Sequence, residues 1–152
     1  MIKFFHVDLL IIYTILIQME EVSELEKIIA KFEEELRTDL KMDELSLKEK
    51  AMLAPVIKHK WVARTSQHKR ALTKLQAVRK QKIKLISGNS PVALSKATLE
   101  VQVSNSPEIS QIQSKIEDLE QVIEYLEKVE KLTSSLTFDY KNVIELQKLE
   151  TT

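Results

Sequence analysis

Residues 106–126 read SPEISQIQSKIEDLEQVIEYL. A serine cap, a proline in the first helical position and an acid in the first turn together indicate the start of a helix. Apolar residues then recur at steps of three and four, as in a coiled-coil seam; they are Ile109, Ile112, Ile116, Leu119, Ile123 and Leu126. We expect this seam to hold the subunits of an oligomer together. It breaks at Glu130 before completing three heptads, which favours a helix bundle over a long rod.

The composition favours the same fold class along the whole chain. It has a single glycine, three prolines and 30% charged residues, which is typical of long helices. Aromatic residues make up only 5%, so we expect an all-α protein that completes its core by packing against copies of itself. Without cysteine, the chain has no disulfide, no thiolate metal site and no cysteine nucleophile.

The segments before and after the seam are also predicted to be helical. Apolar residues within 20–45 follow one helix face. A capping box at Ser46 and Glu49 starts a new helix, which Pro55 either restarts or kinks. We expect this helix to end with Gly88 as its C-cap. A last helical segment is expected from about Phe138 to Leu149.

Two segments are open to a different interpretation. Thr98 to Val103 alternates apolar and polar residues, which is compatible with one short strand. Within Met1 to Gln18, the uninterrupted apolar part from Leu9 to Leu16 is too short to span a bilayer, which takes about 20 residues, and no signal-peptide cleavage site follows. We interpret residues 1–18 as a translated upstream stretch, with Met19 as the true start, rather than as a membrane anchor. The chain then divides into an extension (1–18), an acidic-then-basic helical region (19–88), a linker (89–107) and a C-terminal helical oligomerisation region (108–152).

A neutral net charge conceals three blocks of opposite sign. Residues 19–50 and 89–152 each carry 11 acidic and 6 basic residues. The segment from Ala51 to Gly88 has ten cations and no acid; they are Lys58, Lys60, Arg64, Lys69, Arg70, Lys74, Arg79, Lys80, Lys82 and Lys84. Such charge blocks indicate what kind of partner a protein binds, and they do not indicate its fold.

The basic segment has two interpretations. Its cations either pair with the acidic blocks, within the chain or between subunits, or form a surface that binds a polyanion by releasing counterions. Trp61, Leu72, Leu75 and Ile86 share one stripe of the helix, with His68 and Arg79 embedded, and the stripe is expected to pack on a partner helix. Most cations fall outside it. We therefore expect phosphate contacts to dominate over base stacking.

The sequence offers no catalytic constellation. One glycine excludes a glycine-rich phosphate loop, and the three histidines are too scattered to suggest a metal site. We expect no enzymatic activity, no metal and no cofactor.

From about Ile29 onward the chain resembles the UvsY family, recombination mediators of large tailed bacteriophages. Glu34-Glu35-Leu36, Asp39, Asp43 and Lys60-Trp61 follow the family order. Lys82-Ile83-Lys84-Leu85 is similar to the family's DNA-contact motif, with Lys84 in place of arginine, and Ser87-Gly88 follows it. Phe138 and Lys141 fit its closing pattern. Leu85-Ile86 replaces family aromatics, which weakens any stacking role.

The resemblance implies a function and a set of partners. A UvsY-like protein would form a ring-like homo-oligomer, a hexamer or similar, through its C-terminal helices. It would bind single-stranded DNA and help load a RecA-like phage recombinase onto strands covered by the phage single-stranded-DNA-binding protein. This work would take place in the cytoplasm of the infected bacterial host, without a membrane. The alternative from the residues alone is a structural coiled-coil assembly protein with no nucleic-acid role.

Overall fold

A computed structural model describes residues 24–90 and 92–151 of the chain. Four helices account for the regular structure of these residues: α1 over 24–39, α2 over Leu47–Gly88, α3 over Lys96–Ser104 and α4 over Pro107–Glu150. The all-α prediction is therefore confirmed. The interpretation of Met1–Gln18 lies outside the described residues.

Helix α1 belongs to a compact unit of its own. The chain divides into Met1–Lys41 and Met42–Thr152. The helix ends at residue 39 and a turn follows, so the last apolar position of the pattern, Leu40, lies just beyond the helix. Exposed ion pairs three residues apart, such as Lys27 with Glu24 at 3.1 Å, line its polar face.

Helix α2 begins at the predicted capping box. The Ser46 hydroxyl accepts a hydrogen bond from the Glu49 amide at 3.3 Å, and the Ser46 amide donates to the Glu49 carboxylate at 2.8 Å. The helix runs through Pro55 rather than restarting there. The prediction of Gly88 as the cap was wrong, because Asn89 is the C-cap, with a right-handed φ of −84°, and its amide donates to the Leu85 carbonyl.

The predicted strand at Thr98–Val103 was wrong, since these residues lie in α3. Ser95 caps this helix by accepting from the Thr98 amide at 3.2 Å. A six-residue alternation is too short to distinguish a strand from a helix, and a strand here would have no neighbour to pair with. The segment expected to be a linker thus contains one short helix.

Helix α4 starts as predicted, with Ser106 as its cap and Pro107 in the first turn. It continues without a break to Glu150, so the segment from Phe138 to Leu149 is the end of this helix and not a separate one.

Helices α2 and α4 pack together as an antiparallel pair. Their ion pairs join Lys69 to Glu127 and Lys82 to Glu108. The residue number rises along α2 while that of the partner falls along α4, so the two helices run in opposite directions. Trp61 of α2 and Leu126 of α4 are completely buried. The core also encloses two threonines, whose hydroxyls are satisfied by donating to a carbonyl one turn earlier in the same helix; they are Thr65 and Thr133.

The predicted seam of α4 supplies much of this core. Four of its side chains are buried within the chain itself; they are Ile109, Ile116, Ile123 and Leu126. Ile112 and Leu119 are half-buried. Most of the seam therefore packs inside the subunit, and its contact with other subunits stays a prediction.

Candidate nucleic-acid interface

All ten cations of the basic segment lie on α2. At 3.6 residues per turn, five of them point between about 100° and 180° away from the buried Trp61: Lys60, which is half-buried, and four that are exposed. We call the four exposed cations the outer face; they are Arg70, Lys74, Lys80 and Lys84. Their positions follow from the sequence, because a helix that buries its Trp61 side must present the opposite side to solvent.

The outer face carries uncompensated charge. Within residues 24–90 and 92–151, none of its four cations forms an ion pair with a carboxylate. The Arg70 Nε donates a long hydrogen bond of 3.4 Å to the Ser66 carbonyl, which leaves the rest of its guanidinium available. Four positive charges along one side of a helix attract a polyanion.

Three more cations of the segment lie around the turn that holds Trp61. The guanidinium carbon of Arg64 lies 4.9 Å from the centroid of the Trp61 ring, and the Lys60 Nζ lies 5.4 Å from it. Both distances are in the range of cation–π attraction. Lys58 is half-buried in the same stretch. Trp61 itself has no exposed surface, so it cannot stack on a nucleic-acid base.

Lys69 and Lys82 are held by carboxylates of α4. The Lys69 Nζ lies 2.6 Å from Glu127 Oε1, and the Lys82 Nζ lies 2.8 Å from Glu108 Oε2. The hydrogen bond that Lys69 donates to Glu127 raises the pKa of Lys69, and the hydrogen bond that Lys82 donates to Glu108 lowers the pKa of Glu108. These shifts favour the ammonium form of Lys69 and the carboxylate form of Glu108.

Arg79 lies on the packed side of α2, eighteen residues and five full turns after Trp61. Its side chain is half-buried, and its Nε is enclosed without a hydrogen-bond partner among the described residues. Of the ten predicted DNA-contact residues, Arg79 is therefore the one placed furthest from the outer face.

Sequence reasoning missed the parts played by Glu108 and Glu127. The sequence pattern indicates only that Glu108 is the acid in the first turn of a helix, and it indicates no role for Glu127. Their partners lie 26 and 58 residues away in the chain, so only the antiparallel packing of α2 on α4 brings them together. The charge blocks were the available signal, because an acidic block attracts a basic one.

No helix of the described residues is both long and apolar enough to cross a membrane. In the same part of the chain, no three His, Cys, Asp or Glu side chains cluster in a way that could hold a metal ion.

Comparison with known proteins connects this surface to a family. Residues 35–152 match the family model "Recombination, repair and ssDNA binding protein UvsY". Among solved structures, two crystal forms of the bacteriophage T4 recombination mediator protein UvsY share the fold. Lattice type IV superposes with a TM-score of 0.65 at 16% identity, covering 80% of this chain and 98% of that one. Lattice type II gives 0.63 at 17% identity, covering 81% and 97%. None of the curated proteins matches this chain.

Proposed function

Because this chain belongs to the UvsY family, we propose that it binds single-stranded DNA along the outer face of α2 and acts as a recombination mediator. The observation that carries the proposal is the row of four exposed cations, without a carboxylate partner among the described residues. A helix that served only to pack on α4 would gain from acids placed among these cations, as both flanking segments have them.

The outer face suits a phosphate backbone better than bases. From Arg70 to Lys84 it extends about 21 Å, at a rise of about 1.5 Å per residue. Lysine ammonium groups bind phosphates as point charges, and each contact releases counterions from the nucleic acid. Trp61 is the only Phe, Tyr or Trp between Ala51 and Gly88, and it is buried. Binding should therefore depend strongly on salt and little on base sequence.

The test is a salt titration with a labelled oligonucleotide, followed by fluorescence anisotropy, for single- and double-stranded DNA. For single strands, the logarithm of the affinity should fall with the logarithm of salt at about 0.7 per phosphate contacted. Lys74→Gln combined with Lys84→Gln should lower the slope by about 1.4. It should also weaken binding equally for oligonucleotides of different sequence.

The control removes the same charge from another surface. Lys115→Gln combined with Lys131→Gln takes two exposed lysines from α4, so it alters the net charge of the chain by the same amount. If both double variants lose affinity alike, net charge and not the outer face governs binding. If the chain binds no single-stranded DNA even at low salt, the proposed function is wrong.

The mediator role adds protein partners. The chain would hold single-stranded DNA covered by the phage single-stranded-DNA-binding protein and help a RecA-like recombinase to assemble on it, in the cytoplasm of an infected bacterium. It would perform no catalysis of its own. Adding the chain to such a recombinase should shorten the lag before ATP hydrolysis on covered strands. An unchanged lag would contradict this role while leaving DNA binding intact.

We also propose that the chain works as a ring-like homo-oligomer, a hexamer or similar. The pair formed by α2 and α4 leaves Ile112 and Leu119 half-exposed, and α4 carries exposed apolar residues beyond Leu126; they are Leu132, Phe138, Val143, Leu146 and Leu149. Apolar surface of this extent on one helix favours contact with another subunit.

A structural assembly protein without a nucleic-acid role is the second candidate. The pairing of Lys69 and Lys82 with α4 favours it, because it shows that the acidic and basic blocks attract each other inside the chain. An oligomer that shows no binding to single-stranded DNA at low salt would support this candidate.

A further inference from the structure

Two lysines beside the outer face are already occupied by carboxylates. Seen along α2, Lys69 lies about 80° to one side of Trp61 and Lys82 about 60° to the other side. Each therefore lies between the packed side of the helix and the outer face. Glu127 and Glu108 reach them from α4, at 2.6 and 2.8 Å.

Both ion pairs remain accessible from solvent. The side chains of Lys69 and Glu127 keep 53% and 45% of their surface, and those of Lys82 and Glu108 keep 41% and 69%. A phosphate group can therefore reach either ammonium. To bind it, the phosphate has to displace a carboxylate and then lie beside that negative charge, which costs electrostatic energy.

We infer that Glu108 and Glu127 are affinity-determining residues, which compete with DNA phosphates for Lys82 and Lys69. The inference rests on the proposed function. In the free protein these two carboxylates stand in for phosphates, so the DNA meets fewer available cations than α2 carries. Two of the ten cations of α2 are thereby withheld from the strand, and the affinity is held below the value that it would have with both available.

Such competition would help a protein that has to release its DNA to a recombinase. A strand held by every cation of α2 would dissociate slowly, because affinity differences between related complexes lie mostly in the dissociation rate. When the strand leaves Lys69 or Lys82, the neighbouring carboxylate recaptures the ammonium at once. The two glutamates thus favour release of the strand.

The test is the removal of each competing charge without loss of shape. Glu108→Gln and Glu127→Gln keep the length of the side chain and a carbonyl that accepts a hydrogen bond. Each variant should bind a labelled oligothymidylate roughly 2- to 5-fold more tightly, the range expected for one exposed ion pair. The double variant should combine both gains, and its salt slope should rise by up to about 1.4 as two phosphate contacts are added.

Glu124→Gln is the matched control. It also removes one exposed acid from α4, but its partner is Lys128 on the same helix, at 2.8 Å. It changes the overall charge equally and frees no cation of α2. If Glu108→Gln and Glu127→Gln gain no more affinity than this control, the inference is wrong.

A second pair of variants tests whether the freed lysine causes the gain. In a Lys82→Gln background, Glu108→Gln should no longer increase affinity, because no ammonium remains to be freed. A gain that persists there would overturn the inference for that pair. Thermal unfolding identifies any variant that acts by destabilising the fold. Absence of binding by the unaltered chain at low salt would contradict the proposed function instead, so the two failures are distinguishable.

Discussion

Arg64 places its guanidinium carbon 4.9 Å from the centroid of the Trp61 ring, while the ring itself has no surface exposed to solvent. The Thr65 hydroxyl donates to the Trp61 carbonyl at 3.0 Å, within the same turn of α2. One turn of helix therefore combines the largest side chain of the core with a cation of the basic segment. Packing at Trp61 fixes how α2 is rotated, and this rotation decides which lysines face the solvent.

Trp61→Ala should destabilise the chain by about 3–5 kcal/mol, because it removes a fully buried indole and leaves a cavity in the core. Trp61→Phe should cost less, since it fills part of that space. Urea unfolding followed by circular dichroism measures both. Trp61→Phe should still bind single-stranded DNA with an unchanged salt slope. A variant of full stability that loses DNA binding would instead indicate that Trp61 stacks on a base.

Pro55→Ala should stabilise the chain, by up to about 3 kcal/mol. Pro55 is exposed and lies inside α2, where it lacks the amide that would donate to the carbonyl of Ala51 one turn earlier. Alanine restores that hydrogen bond and keeps the helix. The measurement is the urea midpoint, with an alanine substitution at Gln67, which is also exposed on α2, as a control for helix propensity. A lower midpoint for Pro55→Ala would show that the core requires a bend at this position.

The sequence predicted those features that depend on nearby residues. The caps at Ser46 and Ser106, and the burial of Trp61, all follow from short-range patterns and were confirmed. The strand at Thr98–Val103 was wrong because a six-residue alternation is too short to distinguish a strand from a helix, and in α3 Leu99 and Val103 are half-buried while Val101 is exposed. The cap at Gly88 was wrong because the helix ends in right-handed geometry, which needs no glycine.

The candidate interface could be predicted only in part. Helical periodicity places Lys74 and Lys84 opposite Trp61, so their exposure was available from the sequence. The capture of Lys82 by Glu108 was not, since it depends on the register between two long helices. The seam of α4 shows the same limit. Its heptad spacing indicates a partner helix, but spacing does not reveal whether that helix belongs to the same chain or to another subunit.

The free energy of unfolding should decrease at acid pH, because the N-terminal cap of α2 depends on the charged form of Glu49. The hydrogen bonds from the side chain and the amide of Ser46 lower the pKa of Glu49 below its usual value of 4.5. A carboxylate whose pKa is lowered by folding stabilises the chain above its unfolded pKa, and this stabilisation is lost as the pH falls through the folded value. The midpoint of thermal unfolding should therefore decrease between about pH 5 and pH 3.

Glu49→Gln isolates this contribution. The variant should be less stable than the unaltered chain at pH 7, and its midpoint should depend less on pH, because glutamine has no proton to gain. Glu120→Gln serves as the matched control, since Glu120 is exposed in the middle of α4, away from either helix end. Equal pH dependence in the two variants would show that the cap does not contribute to the acid response.

Self-association should depend on the exposed C-terminal part of α4. Val143 and Leu146 are 41% and 60% exposed. Val143→Asp combined with Leu146→Asp should yield smaller species in sedimentation velocity with unchanged helix content, because an interface would have to bury two charges. Val101→Asp on α3 changes a residue of similar exposure, 59%, and should leave the assembly intact.

Ile116→Asp should unfold the chain rather than dissociate folded subunits, since Ile116 is buried within it. If Ile116→Asp instead dissociates the oligomer into folded subunits and the C-terminal pair has no effect, the heptad seam forms the contact between subunits.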